Sequence, residues 1–191
     1  ETLDSVLRQI NDAAGAVEAS ATSGGPESAL QTAAEQLPAG AARNAVDCAL
    51  IDLLCKVRGL PAWQLLGADE PAPIVTAYTL SLDTPERMAD SARLHRDRPL
   101  LKLKLDREHT LTRVRAVRDA APDSTLIVDA NEAWTRSDLD EWLDELATLG
   151  VALVEQPLPA GEDAALRGLD SPVPIGADES CHTAVDLDGL R

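Results

Sequence analysis

From residue 74 onward, short apolar runs alternate with longer mixed stretches. Runs near 74–80, 100–105, 125–129, 151–155 and 174–177 are rich in Val, Leu and Ile and have the length of strands. Helices are expected between and after them, near 85–96, 108–120, 137–149 and 162–168. Strands alternating with helices of this length predict βαβ units and a parallel sheet. Residues 1–68 read instead as helical. Leu3, Val6, Leu7 and Ile10 form one apolar stripe at helical spacing. Ser23-Gly24-Gly25-Pro26 predicts a loop. Pro26 then starts a helix carrying Ala29, Leu30, Ala33 and Leu37. A third helix follows Pro38-Ala39-Gly40, with Ala42, Val46, Ala49, Leu50, Leu53, Leu54 and Val57 as its stripe and Gly59 as its stop. Leu60 to Gly67 reads as a short helical turn. Pro71 and Pro73 mark a linker, which divides the chain into 1–72 and 73–191.

One strand carries an unusual pattern, Leu101-Lys102-Leu103-Lys104-Leu105. Alternate residues of a strand face opposite ways, so the two lysines share one face and the three leucines the other. The chain has only three lysines, against fourteen arginines, and two of them stand here, one residue apart. A Lys amine loses its proton readily when desolvated or crowded by other cations, whereas Arg does not. The pair is therefore read as a proton-transfer station, with Lys104 and Lys102 as the catalytic candidates. Three carboxylates follow at the ends of later strands: Asp129, Glu155 and Asp178.

The positions of these groups recur almost evenly. The successive intervals Lys104 to Asp129, Asp129 to Glu155 and Glu155 to Asp178 are 25, 26 and 23 residues, and Thr79 lies 25 before Lys104. One polar residue per successive strand end is what a (β/α) barrel shows, because its chemistry sits on the loops after the strands. An open doubly wound sheet would instead gather its ligand groups at one switch point. The fold class expected is α/β: a partial (β/α) TIM-type barrel with about five strands, preceded by the helical part of an α+β capping domain. A whole barrel needs eight strands and roughly 250 residues, so the chain is expected to be a piece of a larger protein.

Any single acidic residue at a strand end can simply cap the next helix. Three in register, each directly after an apolar strand, point to a metal site formed by Asp129, Glu155 and Asp178. All-carboxylate ligation favours a hard cation, Mg²⁺ first and Mn²⁺ second. Cys181 and His182 stand close to Asp178, but one Cys and one His without partners make a poor zinc pattern, and packing of that loop is the expected role. His95 and His109 lie in charged surroundings and are expected to face solvent. Trp134 and Trp142 are expected to pack helices. No Gly-rich phosphate loop is present.

Composition narrows the function further. The net charge of −16 argues against nucleic acid, which needs basic patches. An anionic substrate would need a metal or local cations to offset that field. Phe is absent and aromatic residues make up 2%, so the core must be built from Ala, Leu and Val. Cys48, Cys55 and Cys181 are an odd, sparse set that fits a reducing, cytoplasmic compartment. No apolar run has membrane-spanning length and no signal peptide is visible, so no membrane partner is expected. The chain opens on Glu1 without Met, which leaves the true N-terminus open.

Taken together, Lys102-X-Lys104, Asp129-Ala130-Asn131, Glu155-Gln156-Pro157 and Asp178-Glu179-Ser180 resemble the enolase superfamily, in the subgroup that contains muconate cycloisomerase. The helix from Ala41 to Asp52, with Leu65-Leu66-Gly67 after it, resembles that family's capping-domain helix leading into the barrel. The wording is most similar to the L-Ala-D/L-Glu (dipeptide) epimerases, notably Leu126 to Glu132, Glu155 to Ala160 and Ala177 to Thr183. The resemblance covers essentially the whole chain.

It implies an isomerase that abstracts the proton next to a carboxylate through an enediolate. Mg²⁺ on Asp129, Glu155 and Asp178 would bind the substrate carboxylate, and Lys104 would be the general base. Lys102 would keep Lys104 partly neutral by like-charge repulsion and add positive charge near the intermediate. The partner implied is a small molecule, a dipeptide or N-acyl amino acid carboxylate; a homo-oligomer is compatible. Family members also carry a second catalytic Lys on the sixth strand, a capping sheet with a mobile loop, and an Asp-X-Asp on the eighth strand, none of which is present here. The alternatives are a cycloisomerase or o-succinylbenzoate synthase of the same superfamily, or a non-catalytic truncated fragment. Residues 1–191 alone are expected to be inactive and self-associating, because five strands leave unpaired edges.

Overall fold

The computed structural model describes residues 1–190 and divides into two compact units, Glu1–Pro73 and the chain from Ile74 onward. The first unit is helical. Helix α1 (Leu3–Gln36) starts on a capping box in which Thr2 and Ser5 satisfy each other's backbone N–H groups. The expected loop at 23–26 is reduced to a kink, because only Gly25 leaves helical geometry, at φ +78°. Glycine takes that conformation without a Cβ clash, and Pro26 opens the next segment where no N–H is needed. Helix α2 (Ala41–Arg58) stops at Gly59, whose φ of +65° makes a left-handed cap. Helix α3 (Ala62–Leu65) is a single turn. The core of this unit is built mainly from small residues: Ala13, Leu37 and Ala42 in one cluster, and Ala29, Ala33 and Leu50 in another.

The second unit is a five-stranded parallel sheet: β1 (Tyr78–Leu80), β2 (Leu100–Lys104), β3 (Thr125–Asp129), β4 (Val151–Glu155) and β5 (Ile175–Gly176). Strand order follows chain order. That is the winding of a (β/α) TIM-type barrel and not of a doubly wound sheet, which reverses at a switch point. Helices α4 (Pro85–Leu94), α5 (Thr110–Ala120) and α6 (Arg136–Thr148) connect the first four strands.

Alternation decides which face is which. Leu101, Leu103, Leu126, Val128 and Val154 have no exposed surface. They pack in one core with Met88 and Ala92 of α4, Val114 and Val117 of α5, and Leu139, Leu143 and Leu146 of α6. Burying each such Leu or Val contributes about 1.5–3 kcal/mol. Lys102 and Lys104 fall on the other face. Trp134 is buried in the same core, meets Trp142 edge-on at 5.3 Å and donates its indole N–H to the Asp106 carbonyl at 3.0 Å. Thr135 caps α6 in a capping box with Asp138. Burial pushes the Asp138 carboxyl up, but hydrogen bonds from Thr135 and Arg107 prevail and hold it below the usual range.

Three features depart from expectation. The first strand is paired only over Tyr78–Leu80; Ile74 and Val75 are 85% and 60% exposed. The segment expected as a helix over 162–168 is one 3₁₀ turn, Asp163–Leu166, closed in by Gly161 and Gly168 at positive φ. His95, expected to face solvent, is half-buried and stacks on Tyr78 with ring centroids 3.9 Å apart. All three cysteines are free. Among the described residues, no helix is long and apolar enough to cross a membrane.

Candidate active site at the strand ends

Strand register brings the candidate groups into one row. Lys104 pairs with Asp129, Asp129 with Glu155, and Glu155 with Gly176, so the last residues of β2, β3 and β4 stand side by side. Lys102 lies two residues earlier on the same face, level with Ile127. All of these groups are at the C-terminal ends of the strands, where a (β/α) sheet exposes its loops.

The side chains then close a charged cluster. Lys102 Nζ lies 2.6 Å from Glu155 Oε1 and 2.9 Å from Asp129 Oδ2. Lys104 Nζ lies 2.6 Å from the same Asp129 oxygen and donates to Asn131 Oδ1 at 2.8 Å. The other Asp129 oxygen accepts the Asn131 backbone N–H at 3.0 Å. The Asp129 side chain is fully buried, whereas those of Lys102 and Lys104 keep 22% and 35% of their surface. Both amines therefore reach toward the open end of the sheet from an anchored carboxylate.

Burial pushes the Asp129 carboxyl up, but hydrogen bonds from Lys104 and Lys102 prevail and hold it below the usual range. Burial likewise pushes the Lys102 amine down, but the hydrogen bonds it donates to Glu155 and Asp129 prevail and raise it. Two carboxylates therefore stand in direct contact with the Lys102 ammonium.

The three expected ligands are not equally placed. Asp129 and Glu155 are register partners, joined through Lys102. Asp178 lies two residues beyond β5 and is exposed. Among the described residues, no three Asp, Glu, His or Cys side chains converge as a preformed metal group. The reason is visible in the contacts: two ammonium groups occupy the space against Asp129, and Asp178 has no side-chain contact drawing it inward. The donor set still fits a hard cation, being all oxygen and set at the ends of three adjacent strands.

The loops hold several groups that strand-end reasoning does not single out. Asn131, Glu132 and Gln156 have positive φ values of 42°, 67° and 35°, a conformation uncommon outside glycine and Asn. Asn131 Nδ2 donates to Glu179 Oε1 at 3.1 Å, which links the loops after β3 and β5. The second Glu179 oxygen is buried without a protein partner. Glu132 accepts the Ala160 N–H at 2.6 Å. Asn131-Glu132 just beyond β3 and Gln156 directly after β4 signal such turns only once the strand ends are known. Cys181 and His182 lie in the loop after β5, with Cys181 half-buried and the His182 N–H donated to Asp186.

Comparison with known proteins finds a family match for each part of the chain. The profile of the enolase C-terminal domain-like family matches residues 87–190. That of the mandelate racemase/muconate lactonizing enzyme N-terminal domain matches residues 6–67. The chain is 48% identical over 155 residues to an N-acetyl-D-glutamate racemase of a Pseudoalteromonas species, covering 81% of this chain and 49% of that protein. It is 49% identical over 157 residues to an L-Ala-D/L-Glu epimerase of Escherichia coli K12, with 81% and 49% covered. A crystal structure of a dipeptide epimerase from Enterococcus faecalis V583, complexed with Mg and the dipeptide L-Leu-L-Tyr, superposes with a TM-score of 0.83. It is 31% identical, with 100% of this chain and 55% of that one covered. The chain thus spans about half the length of the curated relatives it matches.

Proposed function

This chain belongs to the enolase superfamily, with a mandelate racemase/muconate lactonizing enzyme N-terminal domain and an enolase-type C-terminal domain, and on that premise we propose that the complete protein is an epimerase of dipeptides of the L-Ala-D/L-Glu type. The observation that carries the reading is the convergence of Lys102 on Asp129 and Glu155, and of Lys104 on Asp129, at the strand ends, within 2.6–2.9 Å.

The α-proton of a carboxylate anion is very weakly acidic, so its removal needs a positioned base and a strong field of positive charge. Lys104 is the base: it stands nearer the open end of β2, and its amine is aimed by Asp129 and Asn131. Lys102, held protonated by two carboxylates, adds fixed positive charge where negative charge grows on the substrate. Asp129, Glu155 and Asp178 would hold Mg²⁺. When bound, Mg²⁺ would engage the substrate carboxylate and stabilise the added charge. The two lysines share one face of β2, so inversion requires a proton donor from another element, on the opposite side of the substrate.

A second reading, an N-acylglutamate racemase, is favoured by the similarity to the N-acetyl-D-glutamate racemase. Both substrates are glutamates acylated on the α-amine, and the same proton moves in both. They differ in whether the acyl group carries an ammonium. The complete protein, given L-Ala-L-Glu, N-acetyl-L-glutamate and free L-glutamate with Mg²⁺, is expected to invert the glutamyl centre of L-Ala-L-Glu, seen by chiral chromatography after hydrolysis. Turnover of N-acetyl-L-glutamate alone would select the second reading. Turnover of none would remove both.

A further inference from the structure

Gln156 is 1% exposed, and its amide makes every hydrogen bond open to it. Oε1 accepts the backbone N–H groups of Asp178, at 2.9 Å, and Ser180, at 3.0 Å. Nε2 donates to the Leu158 carbonyl at 2.8 Å and to Ser180 Oγ at 2.9 Å. Ser180 Oγ in turn donates to Asp163 at 2.9 Å. Only this orientation of the amide works, because turning it over would set an NH₂ against two N–H donors. The backbone is fixed as well: its N–H goes to the Gly176 carbonyl at 2.8 Å, and its carbonyl accepts from Glu132 at 2.9 Å. The residue holds φ +35°, a strained value for a long side chain that persists only where surroundings over-determine it.

The far end of these bonds is the loop carrying Asp178. That carboxylate accepts no hydrogen bond from the described residues, so its position comes from its backbone alone. The Asp178 N–H goes to Gln156, and its carbonyl accepts from Cys181 at 3.0 Å. We propose that Gln156 is a positioning residue: its buried amide fixes the loop after β5 and thereby places the Asp178 carboxylate for the cation. The inference rests on the assignment of Asp178 as a ligand.

The test is Mg²⁺ titration by calorimetry on the complete protein and three variants, with thermal denaturation alongside. Gln156→Met keeps a similar volume and removes all four side-chain bonds. It is expected to weaken Mg²⁺ affinity by about tenfold to a hundredfold, the range for losing an outer partner of a metal ligand. Leu146→Ala, in the core on the other face of the sheet, is the control: it should lower the melting temperature and leave the affinity unchanged. Unchanged affinity in Gln156→Met, or equal weakening in Leu146→Ala, would show that Gln156 serves only stability and would overturn the proposal. Asp178→Asn separates the two claims. Unchanged Mg²⁺ binding there removes Asp178 as a ligand and this inference with it, while weakened binding there beside unchanged binding in Gln156→Met overturns this inference alone. If Gln156→Met does not fold, Ser180→Ala removes one bond to the Gln156 amide, together with the one to Asp163, and adds no volume; a weaker affinity supports the proposal, and unchanged affinity overturns it.

Discussion

Lys104→Ala in the complete protein is expected to abolish exchange of the substrate α-proton with solvent deuterium for one stereoisomer and to spare it for the other. The asymmetry follows from geometry. Lys104 and Lys102 extend from one face of one strand, so they reach one side of the substrate's α-carbon only. Removing a positioned general base costs about 10²–10⁴-fold in rate, large enough to separate the isomers cleanly. Truncation also takes one of two ammonium groups from Asp129, but the 2.9 Å contact with Lys102 remains, so the buried carboxylate keeps a partner. Lys104→Arg should not restore the rate, because a guanidinium does not give up its proton near neutrality. Deuterium uptake by both isomers, followed by NMR, is the measurement. Undiminished uptake by both would show that another group is the base.

Asp129→Asn should act more broadly, because this carboxylate anchors the whole cluster. It is fully buried and engages Lys102, Lys104 and the Asn131 backbone. An amide at that position supplies no negative charge, leaving Lys104 without its carboxylate partner and Lys102 with Glu155 alone. Mg²⁺ affinity and both directions of exchange should fall together, with kcat reduced by roughly 10²–10³-fold, the scale of losing one preorganised electrostatic group. Calorimetry with Mg²⁺ and exchange kinetics on the same preparation check this. Intact Mg²⁺ binding in that variant would take Asp129 out of the ligand set.

Much of this arrangement is legible in the chain because a strand has a strict period of two. Leu101, Leu103 and Leu105 alternating with two lysines admits only one division of faces, and the structure shows it: the leucines are buried and the lysines contact carboxylates. The even spacing of strand-end polar residues likewise carried the consecutive parallel order. What escaped depends on neighbours that are remote in sequence. Tyr78–Leu80 is shorter than its apolar run because pairing, not composition, ends a strand. Gly25 bends a helix where a loop is expected, since one residue at positive φ is enough to redirect the chain. The contacts of Lys102 and Lys104 with the carboxylates of β3 and β4, 25 to 53 residues away in the chain, are not visible in the strand's own pattern. Gln156 gives no sign of these contacts in sequence, because three of its four side-chain bonds, to Asp178 and Ser180, form only when the loops after β4 and β5 meet.

The central claim is that these residues serve proton transfer at a carbon next to a carboxylate. It is tested most directly by incubating the complete protein with L-Ala-L-Glu in D₂O, with Mg²⁺ and again with a chelator. The account predicts loss of the glutamyl α-proton signal, appearance of the deuterated D-epimer, and arrest of both when the chelator is present. An α-proton that persists while the dipeptide binds would contradict it.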